Sequence, residues 1–308
     1  MLMIVNPYAT TVSDRLKNLV IYALQGRFEV EVEATDSKDH ATEIGRDAVD
    51  GDYDLVVAFG GDGTVNEVVN GLAGTGIPVT FLPGGNTNVV CRTLGIPNDV
   101  VDATEHLLSL ADDFRPRMVD LGRINDRYFV FSCGAGIDAT VVEKVDSNPR
   151  LKRRAGPYFY SWHAMSSYMR KYMRNPVRLE VTVDGAVHEG VTTLAQNSDP
   201  FTYFGKQPVH VCENVEFDDG SLGMVLLKRA NQFDVISIIP RLLSSKLSAA
   251  KHNQVETFEH MMKAGIRSLS TDEDGEIRQF PVQVDGDYIG MYEEITLEAA
   301  PAALTIIA

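Results

Sequence analysis

The sequence predicts an α/β protein, with an N-terminal Rossmann-like domain on a parallel sheet followed by a β-rich, sandwich-like domain. Three observations carry this. Strand-like and helix-like segments alternate over the first 120 residues. A continuous apolar run, "DLVVAF" (54–59), ends at glycines, as a strand buried on both faces does. After Asp120, short β-like runs separated by Asp-Gly turns take over.

In order, "MLMIV" reads as a first strand, and Val12, Leu16, Leu19, Val20 and Ala23 recur at helical spacing over 12–25. "FEVEVEA" (28–34) alternates like a strand, and 38–50 reads as a polar helix. The buried run 54–59 leads into a glycine turn and a helix whose inward face carries Val65, Val68, Val69 and Leu72. The strand "VTFL" (79–82) leads into a second glycine turn, "PGGNTN". Strand and helix in alternation imply a sheet covered on both faces, with its turns opening at the carboxyl edge. Beyond Asp120, strands are expected at "YFVFSC", "VRLEVTVDG", "VTTLAQ", "VHVCE", "GMVLLK", "FPVQVDGDYIG", "EEITLEAA" and "ALTIIA", with helices at about 150–174 and 232–250. The division is a nucleotide domain over 1–125 and a β-rich domain over 126–308, the last strand being free to return to the first domain.

The 308 residues are 44% hydrophobic and 23% charged, ordinary for a globular chain. A net charge of −15 argues against nucleic acid as a partner, because that affinity rests on basic side chains displacing counterions. Cys91, Cys133 and Cys212 lack metal-ligand spacing and read as unpaired thiols of a reducing compartment. The N-terminus has no basic n-region and meets Pro7 early, so it does not read as a signal peptide. No apolar run approaches the roughly 18 residues of a membrane span. The expectation is a cytoplasmic protein.

The chemistry concentrates in "GGDGTVNEVVNGL" (60–72). Gly60, Gly61 and Gly63 allow close backbone approach, and the following helix aims its free N–H groups at an anion, for which phosphate is the natural guest. The turn has no Walker lysine and fails GxGxxG, because Asn66 stands at the last glycine position. Asp62 therefore either caps a tight turn, holds Mg²⁺, or accepts a proton from an attacking hydroxyl. Thr64 and Glu67 fit a capping box, and both also stand as nucleotide contacts. Gly84, Gly85, Asn86 and Asn88 place a second turn at the same sheet edge, so that one nucleotide fits between the two. Asp285 reads as a hairpin turn.

With these motifs in view, the chain resembles the soluble diacylglycerol kinase and sphingosine kinase superfamily of lipid kinases. The resemblance rests on "GGDGTVNEVVNGL", "LPGGNTNVVCRTLGIP" (82–97) with Val119 and Asp120 downstream, "FDDGSLGMVLL" (217–227) and "VDGDYIG" (284–290). It implies ATP in a cleft between the two domains, with Gly61, Asp62, Gly63 and Thr64 on the phosphates or their metal. It also implies Asp120 in that network, Asp287 as general base on the lipid hydroxyl, and a structural Mg²⁺ site at Asp218 and Asp219. Three departures stand out. "NPYAT" replaces a glycine-bearing turn, leaving Asn6 as a nucleotide contact without that support; Val89 follows Asn88 where an Asp is usual; and Asp287 stands where Glu is usual.

Residues 147–179 hold no Asp or Glu, and they mix Arg153, Arg154, Tyr158 and Trp162 with other basic and aromatic side chains. That composition suits an anionic membrane surface, or equally a helix that exposes its charges and buries its rings. The reading is an ATP- and Mg²⁺-dependent kinase acting on diacylglycerol or a related neutral lipid, peripheral to a membrane and compatible with a homodimer. The alternatives are a kinase for a soluble acceptor, since nicotinamide-nucleotide kinases also use a GGDG turn, and a nucleotide-binding regulatory module without catalysis.

Overall fold

The computed structural model describes residues 1–9, 13–136, 175–229, 231, 234, 237, 238, 241 and 248–308. The helix expected at 150–174 and most of that at 232–250 lie outside them, as do Val12, Arg153, Arg154, Tyr158 and Trp162.

The first part of the chain alternates as β1 (Leu2–Val5), α1 (Asp14–Gln25), β2 (Glu31–Ala34), α2 (His40–Asp47), β3 (Val56–Gly60), α3 (Asp62–Leu72), β4 (Val79–Pro83), α4 (Val89–Thr93) and α5 (Val100–Leu110). The strands form a parallel sheet in the order β2-β1-β3-β4, and β1, β3 and β4 are buried throughout, as their apolar runs require. Two helix starts carry side-chain caps: at α1, Ser13 Oγ accepts from the Leu16 N–H at 3.2 Å. Asp99 does the same for Val101 at 2.8 Å, opening α5, a helix the sequence reading missed.

The remaining strands are β5 (Arg117–Ile124), β6 (Arg127–Phe129), β7 (Ser132–Ala135), β8 (Leu179–Val183), β9 (Ala186–Gly190), β10 (Thr192–Gln196), β11 (Thr202–Phe204), β12 (Gln207–Val209), β13 (Leu222–Leu227), β14 (Val255–Met261), β15 (Lys263–Ser268), β16 (Phe280–Val284), β17 (Asp287–Tyr292) and β18 (Glu294–Ile306). A six-stranded antiparallel sheet runs β14-β13-β10-β7-β16-β17. It packs against β5, β8, β15 and β18 through a core that includes Phe129, Leu179, Ile266 and Leu297 on one side and Met224, Leu226, Phe280 and Val282 on the other. Asp184–Gly185 and Asp285–Gly286 turn two hairpins, each pair at positive φ, as two-residue loops demand.

β18 ties the molecule together. Its end pairs parallel with β4 at Ile306 and Val79, and its body pairs antiparallel with β5 and β15. The parallel sheet thereby continues into one face of the sandwich. "EEITLEAA" and "ALTIIA" are thus one strand, not two, with an irregularity between Ala300 and Leu304. "VHVCE" (209–213) is also corrected: pairing ends at Val209, because the Cys212 peptide bonds to the Gln196 side chain instead of a neighbouring strand. The sequence reading missed β5, β9, β11, β14 and β15; β14 and β9 are half-exposed, so they lack a clean apolar alternation.

Gly122 on β5 faces Phe129 on β6, and a Cβ built on it would lie 1.9 Å from that ring. Gly122→Ala is expected to displace the fully buried Phe129 and cost about 1–3 kcal/mol, measured by urea denaturation.

Candidate active site

β3 and β4 end side by side, with Gly60 opposite Pro83, and both glycine turns leave this edge together. The Gly84 N–H donates to the Gly60 carbonyl at 2.7 Å. A Cβ on Gly85 would lie 2.9 Å from the Gly61 Cα, so the two turns touch backbone to backbone. The Thr64 side chain fills the space beside Gly60, and its Oγ1 accepts from Asn6 Nδ2 at 3.0 Å. Asn6 in turn accepts from the Tyr8 N–H at 2.9 Å, which fixes the end of β1 against the first turn of α3.

The second turn is closed by Asn88. At φ 47° its Oδ1 accepts from the Gly85 N–H at 2.8 Å, and its Nδ2 donates to the Gly85 carbonyl and to Asn98. Its amide shapes the loop, while Asn86 is exposed at the tip and Val89 is buried in the core.

Asp62 opens α3 and reaches across to the amino end of α4, where its carboxylate accepts from the Val90 N–H at 3.4 Å. Burial pushes its pKa up to about 7; the Val90 and Val89 N–H groups oppose this, and the Asp285 and Asp287 charges reinforce it. A carboxylate inside an anion-receptive turn is thus held by one helix terminus while it faces a cleft.

The capping-box expectation is corrected. Gly61 is the N-cap of α3 and gives no side-chain cap, and Thr64 bonds to Asn6. Glu67 points to α2, where its Oε2 accepts from the Ala41 N–H at 3.2 Å and its carbonyl accepts from Thr42 Oγ1. Its carboxylate is committed to the first turn of α2 rather than to the glycine turns.

Asp287 begins β17 and comes from the other half of the chain. A Cβ on Gly63 would lie 2.7 Å from its Oδ2, so only glycine at 63 lets this carboxylate rest on the first turn of α3. Asp285, two residues earlier, is buried and accepts four hydrogen bonds: Val130 N–H at 2.7 Å, Phe131 N–H at 2.9 Å, Ser132 N–H at 3.0 Å and Asn66 Nδ2 at 2.8 Å. Burial pushes its pKa upward against those donors. Asn66 also donates to the Tyr128 carbonyl and accepts from Arg127 at 2.7 Å. Sequence reasoning placed Asp285 in a hairpin turn, where it is, but missed its burial; it noted Asn66 only as a missing glycine and did not single out Arg127. One signal was present, since Asn66 is a polar residue on the valine-lined face of α3, where a buried amide requires partners.

The residues expected at metal sites take partners from the chain around them or stand exposed. Buried Asp120 accepts from the Gly220 N–H at 2.5 Å and the Ala302 N–H at 2.7 Å, joining the 218–220 turn to β18. Asp219 closes its own turn on Ser221 and on the Glu216 N–H, and Asp218 is exposed. Among the described residues, no three His, Cys, Asp or Glu side chains gather in a metal-holding group. Cys91, Cys133 and Cys212 are buried free thiols.

A cavity of about 220 Å³ opens between the halves, with Asp62, Thr87 and Val89 on one wall and Phe131, Phe201 and Thr202 on the other. Among the described residues, no helix is long and apolar enough to cross a membrane.

The α/β layer with its two touching glycine turns and the attached β-sandwich correspond, in that order, to the two domain types of one kinase family. Residues 1–124 match the diacylglycerol kinase catalytic domain, and residues 132–308 match the YegS C-terminal NAD kinase beta sandwich-like domain. The chain belongs to the diacylglycerol kinase family, and it is a lipid kinase in the general sense: a phosphotransferase with an alcohol group as acceptor. It is 28% identical over 280 residues to a diacylglycerol kinase of Bacillus subtilis (strain 168), covering 88% of this chain and 86% of that one. It is 28% identical over 281 residues to a diacylglycerol kinase of Staphylococcus haemolyticus (strain JCSC1435), covering 89% and 77%. The fold is shared with a diacylglycerol kinase structure from Bacillus anthracis str. Sterne (TM-score 0.71, 21% identity, 99% of this chain and 95% of that one). It is shared more distantly with an NAD kinase from Archaeoglobus fulgidus in complex with ATP (TM-score 0.53, 13% identity, 100% and 93%).

Because the Asp62 pKa in the folded chain lies well above its ordinary 3.8, the folded protein binds more protons than the unfolded chain between about pH 4 and pH 7. Its stability therefore falls as pH rises through that window. Asp62→Asn, without nucleotide, is expected to be more stable than wild type at pH 8 by about 1–2 kcal/mol, a value discounted because the side chain still meets solvent in the cleft. The gain should vanish at pH 4, as checked by urea denaturation at both values.

Proposed function

We propose that the protein is an ATP- and Mg²⁺-dependent lipid kinase that phosphorylates a hydroxyl of diacylglycerol or a related neutral lipid. One observation carries the reading: Asp287, from the β-sandwich half, rests on Gly63 at the first turn of α3, within electrostatic reach of Asp62. A carboxylate on the acceptor side thus meets the place where a phosphate would dock.

The residues fit both groups. The first turn of α3 opens at Gly61 with no side-chain cap, which leaves its N–H groups for a phosphate, as a triphosphate requires. Asp62 and Asp287 offer the one or two carboxylates that Mg²⁺ takes alongside phosphate oxygens and water. Bound there, the ion would offset charge on the transferring phosphoryl group. Asp62 and Asp287, which meet at the first turn of α3, are the residues that would hold it.

The chain's own residues then divide the work. The touching glycine turns orient the nucleotide, and the cavity between Asp62 and Phe201 admits the alcohol. Asp287 takes the proton from that hydroxyl as attack proceeds. Phe131 and Phe201 line the acceptor wall with apolar surface, suited to the glycerol end of a neutral lipid. Such a substrate requires contact with a membrane surface, for which the acid-free stretch 147–179 has the composition.

Radiolabelled ATP with a total lipid extract tests the reading. Wild type is expected to label an organic-soluble product, and folded Asp62→Asn to label none. Asp287→Ala should lower kcat by about 10²–10⁴-fold with little change in the KM for ATP. Label appearing only in a water-soluble product, without vesicles or detergent, would instead favour a soluble acceptor of the kind the shared NAD kinase fold serves.

A further inference from the structure

β11 and β12 form a hairpin that pairs with no other strand among the described residues. An isolated two-stranded hairpin is marginal in water, so its placement must come from side chains. On the sandwich side, His210 at its foot pairs with Asp199 at 2.9 Å. On the kinase side, the hairpin meets α4, and Arg92 makes the connection. Its guanidinium carbon lies 3.5 Å above the Tyr203 ring. Its terminal nitrogens donate to the Gly205 carbonyl at 2.9 Å and to the Lys206 carbonyl at 3.4 Å. A planar guanidinium can stack on a ring and donate in its own plane together, which a lysine ammonium cannot do.

The location gives this contact a consequence. Phe201, just before the hairpin, and Thr202, its first residue, line the same cavity as Asp62. Arg92 stands two residues beyond Val90, whose N–H holds the Asp62 carboxylate. The hairpin end and the acid are therefore referenced to the same short helix.

We propose that Arg92 is a positioning residue for the acceptor, holding the β11–β12 hairpin on α4 and so setting the gap between Phe201 and Asp62 through which the alcohol enters. The proposal rests on the kinase reading for the reaction, but not on which alcohol is used.

Two measurements on the full-length chain test it. The first needs no activity: limited trypsin digestion, following cleavage after exposed Lys206 by mass spectrometry. Arg92→Ala should be cut there about tenfold faster than wild type, from losing the stack and the carbonyl bonds together, with Arg92→Lys between the two. The second is steady-state kinetics. Arg92→Ala should raise the KM for the alcohol about tenfold while the KM for ATP stays within about twofold, and Arg92→Lys should recover part of the loss. Equal cutting rates in all three proteins would overturn the proposal, as would an unchanged KM for the alcohol. A wild type that phosphorylates a soluble alcohol but no lipid would sink the lipid reading alone, and the Arg92 comparison would then be read on that alcohol.

Discussion

The carboxylate of Asp285 is the constraint on which the rest of this molecule depends. It is buried, and its four donors come from two places: Asn66 on α3, whose side chain also accepts from Arg127 on β6, and the chain at 130–132 that enters the sandwich. A buried charge is tolerated only when its lone pairs are filled, so the β16–β17 turn has one place to sit. That place puts Asp287 on Gly63. The position of Asp287 therefore follows from a hydrogen-bonded node one turn further along α3, and this carboxylate need not hold itself in place.

The glycine turns solve a second problem. Each must approach the other more closely than any side chain allows, and Asn88 closes the second turn on itself so that its backbone stays facing the cleft. Asp62 then sits where two influences compete. Removal from water and the neighbouring Asp285 and Asp287 disfavour its charge, and the amino end of α4 favours it.

The broad plan was legible in the sequence because it is written in local pattern. β1, β3 and β4 are apolar runs ending at glycines or at Asn6, and the Asp-Gly pairs mark two hairpins correctly. What escaped was set by distant partners. Nothing near Glu67 says that its carboxylate will serve α2, and nothing near Asp120 says that Gly220 and Ala302 will claim both its oxygens. The convergence of Asp62, Asp285 and Asp287 spans most of the chain, and it entered the reading through family resemblance for Asp287 and not at all for Asp285. Half-exposed strands such as β14 escaped for the opposite reason, because their burial is too weak to impose an alternation.

The most direct test is the stability of Asp285→Ala measured by urea denaturation, with phosphoryl transfer assayed on the folded fraction. With four donors left unpaired, the account predicts a loss of about 3–5 kcal/mol together with collapse of turnover, as the β16–β17 turn no longer presents Asp287 to Gly63. A variant within about 0.5 kcal/mol of wild type that still transfers phosphate at the full rate would contradict it.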